Sequence, residues 1–113
     1  MQNQSHVDSW YADSANRQLD FPALQGETSA DVCIIGGGYT GLSAAIHLRQ
    51  LGYSVALLDA NCVGWGASGR NGGHVGTGQR AEQEQLEKWV GMDQAKALWQ
   101  LGLEAVATVS QLT

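Results

Sequence analysis

Proline is almost missing from this 113-residue chain, with Pro22 its one example, and cysteine is reduced to Cys33 and Cys62. A proline-rich linker is thereby excluded. The two cysteines form no Cys-x-x-Cys pair, so neither a disulfide framework nor a metal site is expected. Basic residues are scarce, six Lys and Arg against eleven Asp and Glu, for a formal net charge of −5. That balance argues against nucleic acid or an anionic membrane as the main partner. No uninterrupted apolar run approaches the ~18–20 residues that span a bilayer. The opening Met1-Gln2-Asn3-Gln4-Ser5-His6 has neither the basic start nor the apolar core of a secretion signal. These shortages point to a soluble, cytoplasmic protein. The hydrophobic share, 43%, is too high for a disordered acidic tail.

Glycine is what the chain has in excess. Twelve of its fifteen glycines fall between Gly36 and Gly78, which divides the sequence into three parts. Residues 1–30 read as a polar N-terminal arm anchored by Trp10-Tyr11 and Phe21-Pro22. In the middle part, Val32-Cys33-Ile34-Ile35 is a short apolar run that reads as a strand buried on both faces, with Cys33 an inert core residue. Thr40 to Leu51 follows helical spacing, with Gly41, Ala44, Ala45, Leu48 and Gly52 on one small-residue stripe and Gly52 placed to cap the end. Ser54 to Asp59 reads as a second buried strand, completing a βαβ unit. Beyond residue 79 two helices are expected. The first runs from Ala81 to Val90 and ends at Gly91; the second is N-capped by Asp93 and carries Leu98, Leu101, Ala105, Val109 and Leu112 on one face. That pattern runs to Thr113 without a stop signal, so the chain reads as the N-terminal part of a longer protein.

Gly36-Gly37-Gly38-Tyr39-Thr40-Gly41 has the form G-x-G-x-x-G, set between the first strand and the helix, and Asp59 closes the next strand 18 residues after Gly41. Each position has a physical task in holding an ADP-containing dinucleotide. Gly36 allows the tight turn, Gly38 lets a diphosphate approach the main chain, and Gly41 lets the helix lie against the strand. The helix start offers N–H groups and partial positive charge to the phosphates. Asp59 accepts hydrogen bonds from a ribose diol, and its charge disfavours a 2′-phosphate. The motif alone does not separate NAD from FAD. Gly64-Trp65-Gly66-Ala67-Ser68-Gly69-Arg70-Asn71-Gly72-Gly73 stands where an NAD-type sheet would begin another helix, and such a loop can lay N–H donors along a phosphate and polyol chain. An NAD-dependent dehydrogenase and a non-catalytic dinucleotide-binding module remain as alternatives.

Cys33 to Ala45, with Leu58-Asp59-Ala60 and the 64–73 loop, resembles the FAD-dependent oxidoreductases related to D-amino-acid oxidase and sarcosine oxidase, and within them the bacterial gamma-glutamylputrescine oxidoreductase branch. The resemblance implies a Rossmann-like FAD-binding unit. It also implies an enzyme that oxidises the C–N bond of an amine or amino acid by hydride transfer to flavin, with oxygen or another electron acceptor. Residues 31–113 would then be the N-terminal portion of the FAD-binding domain, with the substrate domain outside these residues and this segment inactive by itself. By the same analogy Gly36, Gly38, Tyr39, Thr40 and Gly41 hold the diphosphate and Asp59 with Ala60 meets the adenosine ribose. Ser68, Arg70, Asn71, Gly72 and Gly73 line the path to the ribityl chain and ring. Many members carry Glu where Asp59 stands. Some attach the flavin through a histidine near this loop, but with Trp and His adjacent, whereas His74 lies nine residues beyond Trp65. No residue here is assigned a general acid or base role.

Overall fold

A computed structural model describes residues 6–16 and 21–113, so the rest of the expected arm lies outside the described residues. The chain divides into two compact units, Met1–Gly72 and Gly73–Thr113. In the first, the short helix α1 (Trp10–Asp13) is followed by strand β1 (Val32–Ile35), helix α2 (Tyr39–Gln50) and strand β2 (Val55–Leu58). The four-residue α1 is capped by Ser9, whose Oγ accepts from Ala12 N.

β1 and β2 pair in parallel, Val32 opposite Val55 through Ile35 opposite Leu58. That register is pinned just before both strands. Asp31 Oδ2 accepts from Ser54 N at 2.8 Å and from Ser54 Oγ at 2.6 Å, while Asp31 N donates back to Ser54 Oγ at 2.9 Å. A strand slip by one residue would break all three bonds. The two Ser54 donors, side chain first, hold the Asp31 carboxyl below the usual carboxylate range against a small opposing effect of desolvation.

α2 begins one residue earlier than expected. Gly41 brings it against the start of the sheet, since a Cβ there would run into the Gly36 carbonyl and lie 3.3 Å from Ile34 Cγ2. The helix stops as its sequence requires: Gly52, at φ +93°, donates to Arg49 O and Tyr53 N donates to Leu48 O. This pair of bonds is a Schellman ending, open to Gly because the left-handed conformation costs it nothing sterically. α2 covers one face of the sheet. Burial therefore alternates along β1, and Ile35 is 78% exposed. The expectation of a strand buried on both faces is corrected, and with it that of Cys33 as a core residue: Cys33 is exposed.

In the second unit, α3 (Gln83–Val90) and α4 (Met92–Leu112) pack on each other. A single residue joins them. Gly91 N donates to Glu87 O, closing α3, and Gly91 O accepts from Ala95 N, opening α4. Gly91 is therefore the N-cap, and Asp93 falls in the first turn instead of capping it as expected. Asp93 still complements the helix dipole from there. The buried positions of α4 are Ala95 and Gly102, one heptad apart. Leu101 and Val109 of the expected apolar stripe are exposed, because the small residues admit the neighbouring backbone more closely than leucines would. At Gly102 a Cβ would come within 3.1 Å of Gly78 N.

Candidate cofactor site

The turn between β1 and α2 is made by Gly36, at φ +106°, a conformation that L side chains rarely adopt. Its N–H donates to Leu58 O at 2.7 Å, which ties the turn to the end of β2. Gly37 is buried behind it. Gly37 N donates to Asp59 Oδ2 at 2.6 Å, and Asp59 Oδ1 accepts from Asn61 N at 2.8 Å. The Gly37 amide, and then that of Asn61, hold the Asp59 carboxyl below its ordinary range, with desolvation opposing. Asp59 is exposed, and each oxygen accepts from one donor among the described residues. A carboxylate oxygen accepts two, so lone pairs remain for an outside hydroxyl.

The glycine-rich loop folds back on this turn. Gly64 N donates to Gly37 O at 2.9 Å, and Ala67–Gly69 forms one 3-10 turn. A Cβ on Gly69 would strike the Gly64 carbonyl, so the loop closes on itself only with glycine there. This closure brings Ser68 to the start of α2, where its Oγ accepts from Tyr39 N at 3.0 Å. A Cβ on Gly38 would stand 2.9 Å from that oxygen. The space expected to admit a phosphate at Gly38 is thus shared with a serine hydroxyl. Asn71 Nδ2 donates to Tyr39 Oη, Ala67 O and Ser68 O, pinning the far end of the turn to the same helix.

Among the described residues, the amides of Gly38, Thr40 and Gly41 have no hydrogen-bond partner. Unpaired donors at a helix start, beside a glycine, are suited to an anion and fit the diphosphate of a dinucleotide. Ser68 Oγ accepts from Tyr39 N, and its own proton has no acceptor among the described residues. Arg70 lies over the Trp65 ring with Cζ 4.8 Å from its centroid.

The structure therefore brings together Gly36, Gly38, Tyr39, Thr40, Gly41, Asp59, Ser68 and Asn71. Ala60 is exposed after β2, while Gly72 and Gly73 lie where the first unit ends and the second begins. His74 is exposed in the second unit. Sequence reasoning missed the Asp59–Gly37, Gly64–Gly37 and Ser68–Tyr39 bonds. A Ser in a loop that returns to a helix lacking any side-chain cap is the signal that was available.

A family model described as FAD dependent oxidoreductase matches residues 31–113. The chain is 44% identical over 99 residues to the gamma-glutamylputrescine oxidoreductase of Escherichia coli, covering 88% of this chain and 23% of that protein. It is 43% identical over 108 residues to the probable oxidoreductase OrdL of Haemophilus influenzae, covering 96% of this chain and 25% of that protein. The OrdL of Rhizobium meliloti is 46% identical over 97 residues, covering 86% of this chain and 23% of that protein. The chain thus spans about a quarter of the length of the curated relatives it matches. No solved structure matches it.

Proposed function

Since the chain belongs to the FAD-dependent oxidoreductase family, with FAD as the cofactor to be expected, we propose that the intact protein oxidises the C–N bond of an amine or amino acid. Gamma-glutamylputrescine is the first substrate to try, because a similar protein carries that name. The observation that carries the reading is the row of unpartnered amides at the start of α2, faced by the loop that supplies Ser68.

In this reading the unit is Rossmann-like, and residues 31–113 are the N-terminal portion of the FAD-binding domain. The amides of Gly38, Thr40 and Gly41 receive the diphosphate, with Gly36 and Tyr39 shaping the turn that presents them. Asp59, beside Ala60, accepts from the adenosine ribose with its remaining lone pairs. Ser68 donates its hydroxyl proton to a phosphate oxygen, Arg70 offers a guanidinium, and Asn71, Gly72 and Gly73 lead toward the ribityl chain. Bound FAD supplies a two-electron acceptor for a hydride leaving the carbon beside nitrogen, after which the imine product hydrolyses to an aldehyde or keto acid. The final electron acceptor is oxygen or another small oxidant. No helix among the described residues is long and apolar enough to cross a membrane, and we place the protein in the cytoplasm.

Purified intact protein should show oxidised-flavin absorption near ~450 nm, or acquire it when FAD is added. Gly38→Val should abolish that binding, because a branched side chain displaces Ser68 and fills the approach to the amides. Tight FAD binding by that variant would mean that the site lies elsewhere.

A further inference from the structure

We propose that Trp65 is a positioning residue that holds Arg70 against the diphosphate of the cofactor, an inference that rests on the FAD reading above. Arg70 is exposed, and no carboxylate pairs with it among the described residues. Its partners are instead a ring and a carbonyl. The guanidinium carbon stands 4.8 Å from the Trp65 ring centroid, and Nε donates to Gly66 O at 3.3 Å. Both terminal nitrogens, Nη1 and Nη2, make no hydrogen bond among the described residues.

That arrangement follows from the turn. Trp65 N donates to Cys62 O and Arg70 N to Ala67 O, with Gly64 at φ +74° starting the reversal. Residues 65 and 70 are thereby set side by side on a loop that is itself fastened to the glycine turn by Gly64 and to α2 by Ser68. A half-buried indole beneath an arginine lowers the number of rotamers the cation must give up on meeting an anion. The free fork of Nη1 and Nη2 matches a phosphate in two-point geometry. Ser68, two residues earlier on the same turn, accepts from Tyr39 N at the helix start, and the proposal therefore sets this guanidinium on the phosphates expected there.

The test measures dissociation constants of FAD, and of ADP as a probe with phosphates but no flavin, on intact apoprotein by calorimetry. Trp65→Phe keeps a ring and should bind both within about 2-fold of wild type, whereas Trp65→Leu should weaken both by about 3- to 10-fold. In an Arg70→Ala background, itself weaker for both ligands, Trp65→Leu should have no further effect. If Trp65→Leu does not fold, Trp65→Met serves as the ringless variant with the same thresholds. An equal loss in both backgrounds makes Trp65 a packing residue and overturns the proposal. So does a loss for FAD with none for ADP, which would direct Arg70 to the flavin. Wild type that binds FAD while Arg70→Ala binds it equally well overturns this inference alone; wild type that binds neither ligand overturns the FAD reading with it.

Discussion

Asp59 is bound to main chain before it is available to any sugar. Its carboxylate accepts from Gly37 and Asn61, and both bonds favour the ionised form. Asp31 is likewise held down by Ser54. Because both folded-state pKa values lie below the unfolded ones, these groups stabilise the fold at and above the ordinary carboxylate range. That stabilisation is lost as pH falls through the depressed values, below about 4. Melting temperatures of the intact protein, followed downward from pH 7, should therefore drop in this acid window. Asp31→Asn and Asp59→Asn should each flatten the drop, and an unchanged profile in both would contradict the assignment. Ser68→Ala should cost about 1 kcal/mol of stability, the usual net loss of one hydrogen bond, even without cofactor. Denaturant unfolding of the apoprotein checks it, and no change would mean that the Tyr39 bond contributes nothing. At this scale the sequence was informative about Gly36 and Gly41, since each answers a constraint of main-chain geometry. It was silent on the Asp59–Gly37 bond, because a carboxylate ending a strand reads equally well as a ligand for ribose or for an amide, and only the turn's path decides between them.

Among the elements, α2 was the most legible, for its beginning and end are both set by glycines with no substitute. Gly52 has nothing within 4 Å of a Cβ position, so its role is conformational alone. Gly52→Ala should lower stability by about 1–2 kcal/mol through left-handed backbone strain, without altering FAD affinity. Gly41→Ala differs, since its Cβ meets the Gly36 carbonyl and the helix must move off the sheet. That variant should lose more stability than Gly52→Ala in the same unfolding series, and the reverse order would contradict the packing described. The faces of β1 and α4 were read less well. An apolar run such as Val32–Ile35 reports that a strand is hydrophobic but not which side a helix covers, so Cys33 and Ile35 were misplaced. In α4 the leucine spacing marks an apolar stripe, while the buried Ala95 and Gly102, the latter lying against Gly78, carry little hydrophobic signal.

At the scale of the whole chain, the buried hydrophobic residues among those described are Leu86 and Ala95, while Ile35, Leu51 and Trp89 are each more than half exposed. Apolar burial of that extent does not offset the conformational entropy of ordering about a hundred residues. The 113-residue chain expressed alone should therefore bind a hydrophobic dye such as ANS and melt without a sharp transition. A cooperative transition with no dye binding would contradict that. Net charge is also unfavourable to an anionic cofactor, at −5. Screening over about 8 Å at physiological ionic strength leaves the decision to donors in contact with the phosphates, a role the proposal gives to the α2 amides, Ser68 and Arg70. The most direct measurement is a crystal structure of the intact protein with FAD bound. Its diphosphate oxygens should lie about 2.7–3.2 Å from the amide nitrogens of Gly38, Thr40 or Gly41. A diphosphate held elsewhere, with those amides facing solvent, would contradict the account.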